Sequence, residues 1–366
     1  MTRSGMSKGL KRVVIMAVCF LFLVTSLFIF KDRIIDAVLD NAVKTRMAAH
    51  DLKLEDGLHA FLIGTGSPLP DIKRAGPCIA IMAGDRLFVV DAGEAAARNI
   101  MLTGLSIGKV EAVLLTHFHS DHISGLGEMM LQRWAGGSND KPLEVIGPEG
   151  VEEVVAGFNM AFKLDDGYRT AMHGEKTFPP SGAGGVAKPF ALGPEDDASM
   201  VILDQNGLKI TAFRVDHKPV VPAVGYKFEY KGRSLLISGD TKYCLSLEKQ
   251  AVGVDLLLHE AMNPKLVGLM HKYSYLSHGV STAKVTHDLV VYHSSPEDVA
   301  KIAQMAKVPN VVLYHIIPPL PSAIFKGIFL GDAPKYYDGS MTIGEDGMMI
   351  SLPVGSKSIR TKYLFR

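Results

Sequence analysis

Cysteine is scarce in this 366-residue chain, and charge of neither sign is in excess. The three cysteines exclude a disulfide-built fold and a cysteine-ligated metal site. Cys19 lies in an apolar N-terminal segment, while Cys78 and Cys244 are far apart and fit no metal spacing. Buried bystander thiols are the expectation for that pair, with a disulfide as the alternative in an oxidising compartment. Lys and Arg number 39 against 38 Asp and Glu, a formal net charge of +1, and the cations are dispersed. That balance lacks the basic footprint of a nucleic-acid binder, so nucleic acid is an unfavoured partner.

One apolar run is long. Val13 to Phe30 reads "VVIMAVCFLFLVTSLFIF", and its eighteen residues would span about 27 Å as a helix, close to a hydrocarbon core. Arg3, Lys8, Lys11 and Arg12 precede it. This pattern predicts a cytoplasmic basic stretch (1–12), a transmembrane anchor (13–30) and a periplasmic or otherwise extracytoplasmic body. A cleaved signal peptide is the competing reading, but "KDRIID" follows where small residues would mark cleavage. Helical spacing from Ile34 to His50 makes residues 31–53 a linker helix. Residues 54–353 form the body, and a basic tail (354–366) reads as a frayed terminus.

Within the body, short strands alternate with helical stretches. "LHAFLIGTG", "PCIAIMAG" and "RLFVVDAG" read as β segments closed by turns. "EAAARNIMLTG" reads as a helix, and "KVEAVLLT" as a buried strand running into "HFHSDH". Later strands, "LKITAFRVDH", "AVGYKFEYKGRSLLISGD", "LLLHEAM" and "VVLYH", repeat the scheme, which marks an α/β layered enzyme with chemistry at strand ends. Gly174 to Asp197, rich in Gly and Pro, suits a long surface loop or lid.

The densest chemistry is "THFHSDH", Thr116 to His122. Extended backbone throws His117 and His119 to one side, and Asp121 and His122 follow as the chain turns. Three imidazoles and a carboxylate are costly to desolvate unless a metal coordinates them. Three more candidates end apolar runs: His217, Asp240 and His315. Five histidines and two aspartates suffice for two ions sharing a water, with Asp240 bridging. Nitrogen and carboxylate donors without thiolate fit two Zn²⁺ best, with Mn²⁺ or Fe as alternatives.

"THFHSDH", the later histidines and "SGDT" resemble the metallo-β-lactamase superfamily, whose four-layer αββα sandwich holds two metals between its sheets. "GTGSPLPDIKRAGPCIAI", "LLLHEAM", "YHSSPEDVAKIAQMAKVPNVVLYH" and "YDGSMTIGEDGMMISLP" are similar to the branch shared by ribonuclease Z and arylsulfatase-like hydrolases. The resemblance implies that His117, His119 and His217 hold one ion and Asp121, His122 and His315 the other. It also implies a proton donor, His293, oriented by Glu260. Helix capping is the competing reading of His293. Asp121 is a further catalytic candidate, as orienter of the attacking water.

Two divalent cations outweigh two carboxylates and a bridging hydroxide, and such a centre favours anionic substrates. The expected reaction is hydrolysis of a small anionic ester, an aryl sulfate or a phosphodiester, by that hydroxide. Ribonuclease Z activity on transfer RNA is the first alternative. It is disfavoured because that enzyme's long RNA-binding arm falls between the elements of His217 and Asp240, which are close in this sequence. A membrane-anchored binding protein with a relic metal site is the second alternative, a lactam or lactone hydrolase the third. A homo-oligomer is left open.

Overall fold

The computed structural model describes residues 7–47, 52–277 and 280–365. The chain divides between Asp51 and Leu52 into an N-terminal helical unit and a body. In the first unit one helix, α1 (Lys8–Met47), runs without a break. No proline follows Gly9 in it, so the expected anchor and linker helices form a single rod. It is long and apolar enough to be a candidate membrane span. Arg3 and His50 lie outside the described residues.

The body begins with β1 (Gly57–Gly64), β2 (Cys78–Ala83), β3 (Arg86–Val90), α2 (Ala96–Thr103) and β4 (Val110–Leu114). Then come α3 (Ser120–Ile123), α4 (Leu126–Gly137), β5 (Leu143–Pro148), α5 (Val151–His173), β6 (Gly185–Phe190), β7 (Ser199–Gln205) and β8 (Leu208–Arg214). The second half holds β9 (Val224–Tyr230), β10 (Arg233–Ile237), α6 (Leu245–Ala251), β11 (Leu256–Met262), α7 (Pro264–Ser277) and α8 (Val280–Asp288). It ends with α9 (Pro296–Met305), β12 (Asn310–Ile317), α10 (Phe325–Leu330), β13 (Ser340–Ile343), β14 (Met348–Pro353) and β15 (Arg360–Tyr363).

These strands make two sheets, ordered β15-β14-β1-β2-β3-β4-β5-β6 and β13-β12-β11-β10-β9-β8-β7. Side-chain alternation sorts each strand between two cores. In β1, Leu58, Ala60 and Leu62 face the space between the sheets, where Ile210, Tyr226, Phe228 and Tyr314 of the other sheet meet them. Phe61 and Ile63 point outward onto a core shared with Ile100 of α2, Met129 of α4 and Val155 of α5. The second sheet repeats this with Leu236, Leu257 and Leu313 under Leu247 of α6, Val299 of α9 and Phe329 of α10. Burying each such side chain contributes about 1.5–3 kcal/mol. The result is the expected four-layer αββα sandwich.

Two expectations change, and a third, the short connection between His217 and Asp240, holds. Gly185 to Phe190 pairs with β5 as an edge strand rather than looping freely, and an edge position tolerates its Pro189. The tail is not frayed, because β15 pairs antiparallel with β14 and Arg360 meets Glu55. Between His217 and Asp240, β9 and β10 are joined by Lys231 and Gly232 alone, both at positive φ, a two-residue hairpin turn.

The segment leaving β1 passes another backbone closely. A Cβ at Gly64 would lie 1.8 Å from the Gly76 carbonyl oxygen. Gly64→Ala should therefore lower unfolding free energy by about 1–3 kcal/mol. Gly157→Ala, on an α5 position with nothing within 4 Å, should leave stability equal or raise it by about 0.5–1 kcal/mol. Denaturant titration of both variants checks the contrast.

Candidate metal centre

Four strands, β4, β8, β10 and β12, deliver the cluster, and β11 supplies the neighbouring Glu260. β4 ends at Leu114, and the chain bends at Thr116 and is extended at His119 before the single turn of α3 carries Asp121 and His122. His217 follows β8, Asp240 follows β10 and Glu260 lies within β11. His315 occupies a bulge: Tyr314 pairs with Glu260 and Ile316 with Ala261, which leaves His315 between them at φ 47°. The extra residue lets Tyr314 and Ile316 keep their alternating faces while freeing the imidazole toward the cluster.

All seven expected side chains converge. Donor atoms of His117, His119, His217 and Asp240 lie within 4.8 Å of one another, as do those of Asp121, His122 and His315. Asp240 Oδ2 joins the groups, lying 3.8 Å from His117, 3.9 Å from His217, 3.3 Å from His122 and 3.2 Å from His315, each at Nε2. Asp121 Oδ2 is 3.3 Å from His315 Nε2 and 3.6 Å from His122 Nε2. His117 Nε2 is 3.1 Å from His119 Nδ1.

Remote hydrogen bonds fix the rings. His122 Nδ1 donates to Asp91 Oδ2 at 2.8 Å, and His217 Nδ1 donates to the Tyr292 carbonyl at 3.0 Å. Thr116 Oγ1 donates to Asp91 at 2.9 Å, so it accepts from His117 Nδ1 at 3.0 Å. In each ring the Nε2 lone pair is left pointing into the cluster. Burial holds His117 well below the ordinary imidazole value and brings His217 to about 4. Burial acts on His122 too, but Asp240, Asp121 and Asp91 outweigh it and hold the ring well above its ordinary value. Asp240 is disfavoured as an anion by burial, yet His315, His122 and His117 keep it well below the usual carboxylate range.

The donor set fits divalent cations. Two ligands bound tetrahedrally at roughly 2.0–2.1 Å stand about 3.3 Å apart, the spacing of the closest pairs here. Buried His122 Nε2 and Asp240 Oδ1 have no hydrogen-bond partner, an expensive state that a cation relieves.

Glu260 and His293 form a second buried unit, Oε1 to Nδ1 at 3.2 Å. Glu260 also accepts from Ser294 N and Thr241 N. Burial raises the Glu260 carboxyl well above its ordinary value and brings His293 to about 4. Both shifts disfavour charge on the pair. The capping reading of His293 fails, because Ser295 caps α9 through a reciprocal box with Asp298.

Further histidines and Arg169 make their contacts outside the seven-residue cluster. His259 donates Nδ1 to the Glu260 carbonyl, and Arg169 pairs with Asp165 along α5. His271 rests against His287, and His278 lies outside the described residues. "GTGSPLP" is a structural turn: Asp346 accepts from Thr65 N, Thr65 Oγ1 and Ala75 N. Cys78 and Cys244 are free thiols. A separate cavity of about 440 Å³ adjoins the His217 loop, lined by Arg214, Asp216, Lys218, Tyr243 and Ser246. It gathers no comparable donor set. Sequence reasoning missed Asp91, although "VVDAG" places it at a strand end like the other acids.

The sequence profile of the metallo-beta-lactamase superfamily matches residues 72–249. Ribonuclease Z of Mycobacterium sp. (strain KMS) is 35% identical over 264 residues, covering 72% of this chain and 85% of that protein. Among solved structures, the metallo-beta-lactamase fold protein YhfI from Bacillus subtilis superposes with TM-score 0.58 at 19% identity, covering 81% of this chain and 100% of its own. Human tRNase Z, short form, gives TM-score 0.56 at 22% identity, covering 81% and 99%. At those identities the structures attest the fold alone.

Asp91→Asn keeps the shape of the side chain but removes the charge behind His122. It should weaken divalent-cation affinity by about 10- to 100-fold. Competition against a chromophoric chelator measures this, and unchanged affinity would refute the ring-fixing role.

Proposed function

From the premise that this chain belongs to the metallo-β-lactamase superfamily, of which it is a metal-dependent hydrolase, we propose that it hydrolyses a phosphodiester bond. The observation that carries this reading is the convergence of seven donor side chains around Asp240, beside a buried Glu260–His293 pair. The bond class comes from the relative named Ribonuclease Z. That likeness revises the expectation against nucleic acid. Net charge averages over the whole surface, whereas the identity runs through 72% of the chain. RNA is therefore the first substrate to test. Aryl sulfate drops behind phosphodiester.

His117, His119 and His217 would hold one cation and Asp121, His122 and His315 the other, with Asp240 between them. Bound Zn²⁺, or Mn²⁺ or Fe in its place, supplies positive charge that acidifies a water and offsets the charge of an anionic ester. Everything else falls to the chain. Asp91, Thr116 and the Tyr292 carbonyl hold three rings in register. Asp121 would accept a hydrogen bond from the attacking water. The Glu260–His293 pair delivers its proton to the departing oxygen, ordinary acid catalysis worth about 10²–10⁴-fold.

A small anionic ester is the second reading, and one feature favours it. The Lys231–Gly232 turn leaves no arm between β9 and β10 to grip a large RNA. With α1 as an anchor, the body would face an extracytoplasmic space and meet such esters there.

Metal-loaded protein should cleave a phosphodiester in either a precursor transfer RNA or a nitrophenyl ester, and chelation should abolish it. Gel assay and nitrophenol release distinguish the two substrates; turnover of aryl sulfate with neither phosphodiester would reject the proposal. His293→Ala should slow esters with poor leaving groups about 100-fold or more and activated nitrophenyl esters much less. Equal losses in a leaving-group series would remove the donor role.

A further inference from the structure

One side chain at the rim of the cluster has no part in holding cations or moving protons. Tyr292 follows a short turn, Leu289–Val291, and is half-buried. Its carbonyl serves His217, but its ring does something separate. The ring centroid lies 5.2 Å from that of His217, nearly edge-on, and 4.7 Å from that of His293. On its other flank it packs, with Leu69, against an apolar cluster of Met262, Val267, Leu289 and Ile317. The phenol thus separates the imidazole that would protonate the departing oxygen from a purely apolar wall.

A departing group is covalently attached to the oxygen that His293 serves, so it must occupy space next to His293. His293 is flanked by Asp240, whose donor atom lies within 4.8 Å of its own, and by the half-buried Tyr292 ring, 4.7 Å away. A flat apolar group is repelled by desolvating carboxylates and gains contact against the phenol, where offset or edge-to-face ring packing is favourable. We infer that Tyr292, backed by that apolar cluster, forms the leaving-group subsite and selects phosphodiesters whose departing group carries an aromatic ring. The inference rests on the phosphodiester reading above and on His293 as its donor. Tyr292 is a specificity-determining residue here, and every substitution at 292 leaves the backbone carbonyl that serves His217 in place.

The test compares metal-loaded full-length protein with Tyr292→Phe and Tyr292→Ala. Turnover is measured on two methyl phosphodiesters whose leaving groups match in acidity, one a phenol and one a fluorinated alkyl alcohol. Binding is measured by calorimetry with benzylphosphonate and propylphosphonate, which cannot be hydrolysed. The wild type and Tyr292→Phe should prefer the aromatic member about three- to tenfold, both in kcat/KM and in Kd. Tyr292→Ala, compared at equal metal content, should lose that preference in both readouts. Equal binding of both phosphonates by the wild type, or no binding of either, would overturn the subsite. So would a preference that survives in Tyr292→Ala. Should the binding preference hold while neither diester is cleaved, the subsite stands and the assigned reaction falls.

Discussion

A single carboxylate oxygen organises this molecule. Asp240 Oδ2 lies within 4 Å of four imidazole nitrogens, all of them buried. Solvent screens none of those contacts, so an isolated chain must either protonate the rings or accept a strong desolvation penalty. Both strategies are visible. His122 and His315 are pushed up despite burial, while His117 and His217 are pushed down by it. Cations placed between the rings resolve the conflict at once, because they supply the positive charge and leave every ring neutral.

The sandwich exists, in functional terms, to hold those groups still. Three of the strands that deliver donors, β4, β10 and β12, are themselves buried on both faces, and their residues alternate between the inter-sheet core and a helix layer. Rigid tips are the outcome. Where regular geometry would have aimed a side chain wrongly, the chain departs from it, as in the bulge that frees His315. Hydrogen bonds from the ring Nδ1 atoms to Asp91, Thr116 and the Tyr292 carbonyl then complete the orientation at atoms remote from the cluster.

Much of this was legible in the sequence, because both signals are local. Apolar runs ending in His or Asp marked the strand tips, and the spacing in "HFHSDH" marked the cluster. The parts that were not legible depend on tertiary pairing. β6 and β15 are edge strands with weak alternation, and only the neighbours β5 and β14 make them strands. Asp91 looks like any strand-end acid until His122 folds back onto it. Ser295 rather than His293 caps α9, a choice between residues two apart that composition does not make. Dispersed charge argued against RNA, but net charge reports long-range attraction and carries no information about the bond a site can break.

The scatter of the donors along the chain has a consequence for how the protein is assembled. His117 belongs to the first sheet's connections, His217 and Asp240 to the early strands of the second, and His315 to a strand laid down near the end. No partly folded chain can present more than a fragment of the grip, so tight ion capture must come after the two halves close. Occupancy thereby acts as a seal on the finished body: opening either sheet releases the ions, and the free energy of their binding is added to the cost of that opening.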